Sequence, residues 1–396
     1  MSLPLKGVTV LDLTRVLVGP FCTMMLSDLG AEIIKVEIPG TGDDSRAFGP
    51  FLHNRSLYFL SINRGKKSIS LNLKAEKGKQ LLKDLVIHCD VIVENYRPGT
   101  MEKLGLGYEV LKELNPRLIY AAASGYGHSG PDSQKPAYDI LAQARGGIMS
   151  ITGWDNCPPT RVGMSLGDIT AALFMATGIN AALYHREKTG LGQKVDIAML
   201  DSQVAILENA LVRYQAEGAS PLPIGNRHPT IAPFQAYQAE DRYFVVAVGN
   251  DALFKAFANA IGLPELLEDD RFTTNRMRCE NLCRLNEILD PVFTQKPAQH
   301  WLQVLDKAGI PSAPINDVEA VINDPQVLAR NMIVEVQDSM AGKVKIAGNP
   351  IKMDYVPEIP VRGEVPEIGE HNVQIYSGLL GLSETELQEL AKEGVI

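Results

Sequence analysis

The feature that most constrains this chain is the regular alternation of short β-branched runs with helical patterns through its first half. Gly7-Val8-Thr9-Val10-Leu11-Asp12-Leu13 reads as a buried strand. Gly19-Pro20 opens a helical pattern through Met24, Met25 and Leu29 that Gly30 stops, and Ile33-Ile34-Lys35-Val36 reads as the next strand. A helix over 77–87, a strand at Asp90-Val91-Ile92-Val93-Glu94, a short helix over 108–114 and a strand at Leu118-Ile119-Tyr120-Ala121-Ala122 repeat the unit. Strand, helix and strand in succession require a parallel sheet with right-handed crossovers. Such a sheet receives ligands outside the carboxyl ends of its strands.

At 396 residues the chain exceeds one ordinary core. Gln193-Lys194-Val195-Asp196-Ile197-Ala198-Met199 reads as a strand leading into a helix from Asp201 to about Tyr214. Gly218, Pro221, Pro223, Gly225, Pro229 and Pro233 then crowd together as a linker. Beyond it, a strand at Arg242–Val248 and helices over 251–261, 281–293 and 297–307 form a smaller unit, followed by a second proline-rich break at Pro311 to Pro314. The expected class is α/β: a large Rossmann-like domain with a parallel sheet plus a smaller α+β domain. The expected division is 1–215 for the large domain, 216–236 as linker, 237–310 for the small domain, 311–330 as linker, and 331–396 returning to the large domain with a last helix at 383–392.

Charge narrows the partners. Lys plus Arg number 38 against 47 Asp plus Glu, a formal net charge of −9, and neither nucleic acid nor an anionic membrane is expected without a basic face. Five scattered cysteines and seven histidines show no paired metal-ligand spacing, so no metal is expected. No secretory signal or run of 18 apolar residues is apparent, and a cytoplasmic protein is expected. The first crossover, Arg15-Val16-Leu17-Val18-Gly19-Pro20, lacks G-x-G-x-x-G, which disfavours a nicotinamide or flavin cofactor.

The candidate chemistry centres on Ser165-Leu166-Gly167-Asp168-Ile169-Thr170. It sets one carboxylate behind a glycine at the start of an apolar helix, where amides and the helix dipole can keep it ionised and the glycine leaves room for a substrate. An Asp there also serves simply as an N-cap. Arg64, Lys66, Lys67, Lys74, Lys77, Lys79 and Lys83 outnumber Glu76 locally, which suits either a phosphate-rich ligand or a solvated helix face. Asn95-Tyr96-Arg97-Pro98-Gly99 follows a strand end, as a ligand loop or a structural turn. Tyr138 is a possible oxyanion donor and Asp139 a possible helix cap.

Taken together these segments resemble the class III CoA-transferases, the carnitine-dehydratase and bile-acid-inducible-protein type (CaiB/BaiF). The resemblance runs from Leu5 to the C-terminus. It is carried by Val10–Val16 with Gly19-Pro20, Leu29-Gly30-Ala31-Glu32-Ile33-Ile34-Lys35-Val36-Glu37, Asn63-Arg64, Lys67-Ser68, Glu94–Gly99, Tyr138-Asp139, Gly167-Asp168 and His185–Gly190 through Gly192-Gln193. It implies a CoA thioester as substrate, no tightly bound cofactor, a free carboxylic acid as acceptor, and Asp168 as the catalytic aspartate. It also implies a CoA site at Val16, Leu17 and Val18, at Leu71, Asn72 and Lys74, at Asn95, Tyr96, Arg97 and Lys103, and at Ala137, Tyr138 and Asp139. Two subunits interlocked as a homodimer are implied as well.

Leu17 stands where formyl-CoA:oxalate members carry glutamine, no tetraglycine loop lies in 240–262, and Ile38 replaces a frequent CoA-contacting arginine. Val248-Gly249-Asn250 and Gly225-Asn226-Arg227-His228 look like members that use succinyl-CoA with dicarboxylates such as glutarate or hydroxymethylglutarate. Arg227 or His228 would then bind the acceptor's distal carboxylate. The alternatives are a 2-methylacyl-CoA racemase of the same fold, for which Tyr138 with an unperturbed pKa near ~10 is a poor base, and a non-catalytic CoA-binding protein.

Overall fold

The computed structural model describes residues 3–356, 358 and 361–396. They fall into two compact units, one made of the chain up to 148 with 161–216 and 325–396, the other of 149–160 and 217–324.

The first unit is built on six parallel strands: β1 (Thr9–Asp12), β2 (Glu32–Glu37), β3 (Lys67–Ser70), β4 (Val91–Glu94), β5 (Ile119–Ser124) and β6 (Lys194–Ala198). Their order is β3-β2-β1-β4-β5-β6, that of doubly wound dinucleotide-binding sheets, so the chain reverses direction between β1 and β4 and opens a crevice there. The helices are α1 (Val18–Asp28), α2 (Leu57–Asn63), α3 (Glu76–Ile87), α4 (Tyr108–Leu114), α5 (Asp139–Arg145) and α6 (Leu166–Thr189). Alternating strand residues feed two cores, as a strand's period of two dictates. Leu11, Ile34, Ile69, Ile92 and Tyr120 pack with Leu82 and Leu85 of α3, Leu111 of α4 and the C-terminal Tyr376 and Leu387. Val10, Ile33, Val91 and Ile119 pack on the other face with Cys22 and Leu26 of α1 and Ala171, Met175 and Ile179 of α6.

Helix α6 ends at Gly190, left-handed at φ 78°, as helix C-termini prefer. Arg186 in its last turn pairs with Asp90 at 3.0 Å. By length and composition this helix alone among the described residues could cross a membrane, and half of its apolar window is buried within the fold.

In the second unit β7 (Phe234–Gln238), β8 (Tyr243–Ala247) and β9 (Ser312–Pro314) form an antiparallel sheet. Phe244, Phe254, Phe257, Phe293 and Trp301 make its core.

Three sequence expectations need correction. The lysine-rich stretch contains the strand β3, and Arg64 and Lys66 within it are buried rather than solvated, paired with Asp28 at 2.9 Å and Asp12 at 3.0 Å. The helix expected over 201–214 is two helices, Met199–Ala205 and Asn209–Glu217, parted where Glu208 takes φ 51°. The proline-rich stretch at 311–314 supplies β9, an edge strand, where a proline is tolerated because no neighbour needs its missing N–H.

Candidate active site

The ends of β1 and β4 meet at the switch point, over a buried ionic cluster. Asp12, the last residue of β1, is fully buried and accepts hydrogen bonds from Thr14 N (3.0 Å), Thr14 Oγ1, Thr23 Oγ1 (2.6 Å) and Lys66 Nζ (3.0 Å). Burial by itself would raise its pKa, but Lys66, Lys35 and the two hydroxyls overcome that and hold the carboxyl well below the usual range. Lys35, also fully buried, pairs with Asp43 at 2.8 Å, and Arg46 forks onto Glu37 with two bonds of 2.7 Å. Each charge in this cluster has an opposite partner, the condition under which buried ions persist.

Asp168 has none. Helix α6 begins at Leu166 with Ser165 as N-cap, so Asp168 is its third residue and makes no cap hydrogen bond. Among the described residues its carboxylate has no hydrogen-bond or ion-pair partner. The first-turn amide that the sequence offered to Asp168 goes elsewhere: Gly167 N donates to Asp139 Oδ1 at 2.7 Å. A Cβ on Gly167 would stand 3.1 Å from that oxygen and 3.3 Å from Ala142 Cβ. The glycine thus lets Asp139 and Ala142 approach this backbone closely. Asp139 Oδ2 also accepts from Gln143 Nε2 at 2.8 Å, and Arg161 lies 3.6 Å away.

The expectation that Asp168 stays ionised through helix-start amides is thus overturned. Burial, reinforced by the like charge of Asp139, pushes its pKa up to about 7. Tyr58 of α2, which the sequence reading did not single out, lies in the field of Asp168, Asp43 and Asp139. Burial and those three carboxylates raise its pKa to about 12, leaving a neutral phenol as a hydrogen-bond donor. No local signal marks Tyr58, because its three acidic neighbours come from distant parts of the chain.

The remaining expected residues divide by availability. Val16, Leu17 and Val18 form the turn from β1 into α1, and Val16 is left-handed at φ 68°. The Leu71 side chain lies in the core below the sheet, only 2% exposed. Asn72 donates to Gly394 O at 3.2 Å and accepts from Lys74 N at 3.0 Å. Both ends of the Asn95 amide are turned to Arg15: Oδ1 accepts from its N–H at 2.9 Å and Nδ2 donates to its carbonyl at 2.8 Å. Tyr96 is half-buried, with Arg15 over its ring at 5.7 Å. Lys74, Arg97 and Lys103 are exposed cations without an ion-pair partner among the described residues. Ala137 is half-buried, while Tyr138 precedes α5 as its N-cap residue with its ring 78% exposed.

In the second unit Arg227 lines a cavity of about 230 Å³ with Trp154, Asp155 and Leu222. His228 is engaged in its own turn, accepting from Thr230 N at 3.2 Å.

The structure is an α/β fold with a desolvated carboxylate at Asp168 and exposed cations at Lys74, Arg97 and Lys103. Comparison with known proteins gives the class. The profile of CoA-transferase family III matches residues 5–372. The chain is 47% identical to the acetyl-CoA:oxalate CoA-transferase of Acetobacter aceti, covering 94% of this chain and 95% of that protein. It is 40% identical to the human succinyl-CoA:glutarate CoA-transferase, covering 99% and 90%. A crystal structure of a CaiB/BaiF family protein from Brucella suis superposes with a TM-score of 0.84 at 38% identity, covering 96% of this chain and 100% of that one. The chain belongs to CoA-transferase family III. It is an enzyme that moves CoA from an acyl-CoA to a carboxylic acid.

Proposed function

We propose that this enzyme transfers CoA from a short acyl-CoA such as succinyl-CoA to a small dicarboxylic acid through covalent intermediates on Asp168. The observation that carries the reading is the unpartnered carboxylate: among the described residues Asp12, Glu37, Asp43 and Glu94 are hydrogen-bonded or ion-paired, and Asp168 is not.

In the first step an Asp168 oxygen attacks the thioester carbonyl carbon. The C–S bond breaks, leaving a mixed anhydride and CoA thiolate. The thiolate then attacks Cγ of Asp168, the anhydride C–O bond breaks, and the donor acid leaves as carboxylate. The acceptor carboxylate attacks the resulting aspartyl-CoA thioester at Cγ and expels the thiolate, which attacks the acceptor's acyl carbon and restores Asp168. No proton is gained or lost overall, and neither ATP nor metal is required. The nucleophile must be ionised, and a carboxylate with a pKa near 7, poor in hydrogen bonds, is more nucleophilic than a solvated one once deprotonated.

Val16–Val18, Tyr96, Arg97 and residues 137–139 are proposed to receive the CoA arm, with Lys74, Arg97 and Lys103 supplying charge for its phosphates. The relatives support both oxalate and glutarate as acceptor classes, although Leu17 and the missing tetraglycine loop had pointed away from oxalate. A homodimer is proposed too, supported by the exposed apolar side chains of Phe174 and Tyr184 on α6 and of Val212 and Tyr214 beyond it.

The test offers succinyl-CoA and acetyl-CoA against oxalate, glutarate and monocarboxylic acids, with new thioesters separated chromatographically and hydroxylamine added to trap the acyl-enzyme. The expected hydroxamate is on Asp168 and forms with donor alone. A label on another residue, or turnover by Asp168→Asn, removes Asp168 from the role.

A further inference from the structure

The turn that follows β1 is held by side chains rather than by its own secondary structure. Thr14 N donates to Asp12 Oδ1 at 3.0 Å, and Thr14 O accepts from Lys35 Nζ at 2.9 Å. Arg15 N and O are taken by the two ends of Asn95. Val16 N donates to Asp43 Oδ1 at 3.1 Å. Four side chains from β1, β2, the segment after β2 and the end of β4 thus satisfy five consecutive main-chain polar groups. Those partners also fix the orientation of the Asn95 amide, because an N–H needs an acceptor and a carbonyl a donor. On the far side Gly19 closes the turn: a Cβ there would lie 2.1 Å from Thr14 Cγ2.

What this lattice enforces is the left-handed backbone of Val16 at φ 68°. A β-branched residue avoids that region unless its surroundings leave no alternative. The strained turn lies at the crevice between β1 and β4, where doubly wound sheets take their ligands. Here the Asn95 carboxamide bridges that crevice to Arg15.

We propose that Asn95 is a positioning residue that, with Asp43 and Lys35, locks the turn at Val16 in its left-handed form, and that this locked turn sets the placement of the acyl-CoA. Asn95 acts through Arg15 and Val16 and not by a hydrogen bond from its own amide to CoA. The inference rests on the reading that residues 16–18 belong to the CoA site.

A double-mutant cycle tests it, scored by kcat/KM for the acyl-CoA at saturating acceptor, with melting temperature followed in parallel. Asn95→Ala is expected to lower kcat/KM about 100-fold, the scale of a misplaced reacting group. Val16→Gly removes the strain, since glycine takes a left-handed φ freely, and is expected to cost less. In the Val16→Gly background the Asn95→Ala loss should shrink to under about tenfold, a coupling expected of groups acting through one turn.

Equal losses in both backgrounds overturn the proposal and make Asn95 a direct ligand. A lowered melting temperature with unchanged kcat/KM also overturns it, leaving Asn95 a purely structural clamp. Asn95→Asp takes the place of Asn95→Ala should the latter not fold. It keeps the acceptor for Arg15 N and sets an oxygen against Arg15 O, and the same shrinkage is expected. The hydroxamate on wild-type Asp168 is scored separately, so loss of that adduct counts against the aspartyl mechanism and not against the clamp.

Discussion

Asp12 and Asp168 lie in the same unit, and the chain treats them in opposite ways. Asp12 ends a central strand, is fully buried, and collects two hydroxyls, an amide and an ammonium. Asp168 lies in the first turn of α6, is half-buried, and collects no partner among the described residues, while the neighbouring Asp139 takes the amide beside it. One carboxylate is driven toward permanent ionisation and the other is held near neutrality's midpoint. Partners stabilise a buried charge and also make it unreactive, because each hydrogen bond must be broken before the oxygen can attack. On the proposed mechanism function requires one carboxylate that the fold leaves unsatisfied, and stability requires that the others not be.

The largest expected effect breaks the comparison on the reactive side. Asp168→Asn should lower kcat on the order of 10⁴-fold or more, as loss of a nucleophile does, with CoA binding measured by calorimetry retained. Comparable turnover in the two proteins would mean that the free carboxylate is not the acyl carrier.

The structural side is broken by Asp12→Ala. It leaves Lys66 and Lys35 buried with one countercharge fewer, and such a loss costs about 3–5 kcal/mol. Chemical denaturation should register it as a lower midpoint, with the protein that remains folded still forming the Asp168 hydroxamate. A neutral change in stability would show that the cluster relaxes onto water.

How far this division could be read from sequence depends on distance along the chain. Strands β1, β2 and β4 are legible as β-branched runs because a doubly covered parallel strand is apolar on both faces. Strand β5 is legible as a buried apolar run, whereas the edge strand β6 shows as alternation in Lys194-Val195-Asp196-Ile197. Strand β3 is not legible, since Lys67-Ser68-Ile69-Ser70 is polar at three of four positions. Its buried Ser68 hydroxyl donates to Glu37, 31 residues away, and accepts from Gly369 N, 301 residues away. Lys66 looked like a surface charge for the same reason, its partner Asp12 being 54 residues distant. Asp168 was identified by its place before an apolar helix and by family likeness. Its electrostatics were misjudged because the competitor for its amide, Asp139, lies 28 residues upstream of Gly167. Local pattern reveals elements, whereas the pairing of polar groups across elements decides which of them react.

A finer test shifts the reactive carboxylate without removing it. The acid limb of the kcat/KM profile should carry an apparent pKa of about 7, activity rising as Asp168 ionises. Asp139→Asn removes the like charge while leaving an oxygen for Gly167 N, so the limb should move to lower pH by about one unit or less. An unmoved limb would assign the whole shift to burial.

The smallest effect concerns stability, and its sign follows from linkage. The pKa of Asp168 is 3.8 when unperturbed and about 7 in the fold. Below the lower value both the folded and the unfolded chain hold the proton, and the residue costs nothing. As pH rises toward 7 the unfolded chain releases that proton first, so stability falls and the full penalty is present above pH 7. Asn at 168 never ionises and escapes the penalty. Asp168→Asn should therefore melt about 2–4 °C higher than wild type at pH 8, as ~1 kcal/mol does for a unit of this size, with the gain fading below pH 5. Asp12→Asn should behave in the reverse sense, losing stability at pH 8 where the paired carboxylate contributes most. If both substitutions lowered the melting point at pH 8, Asp168 would have to possess a partner in the folded state, and the contrast between the two aspartates would fail.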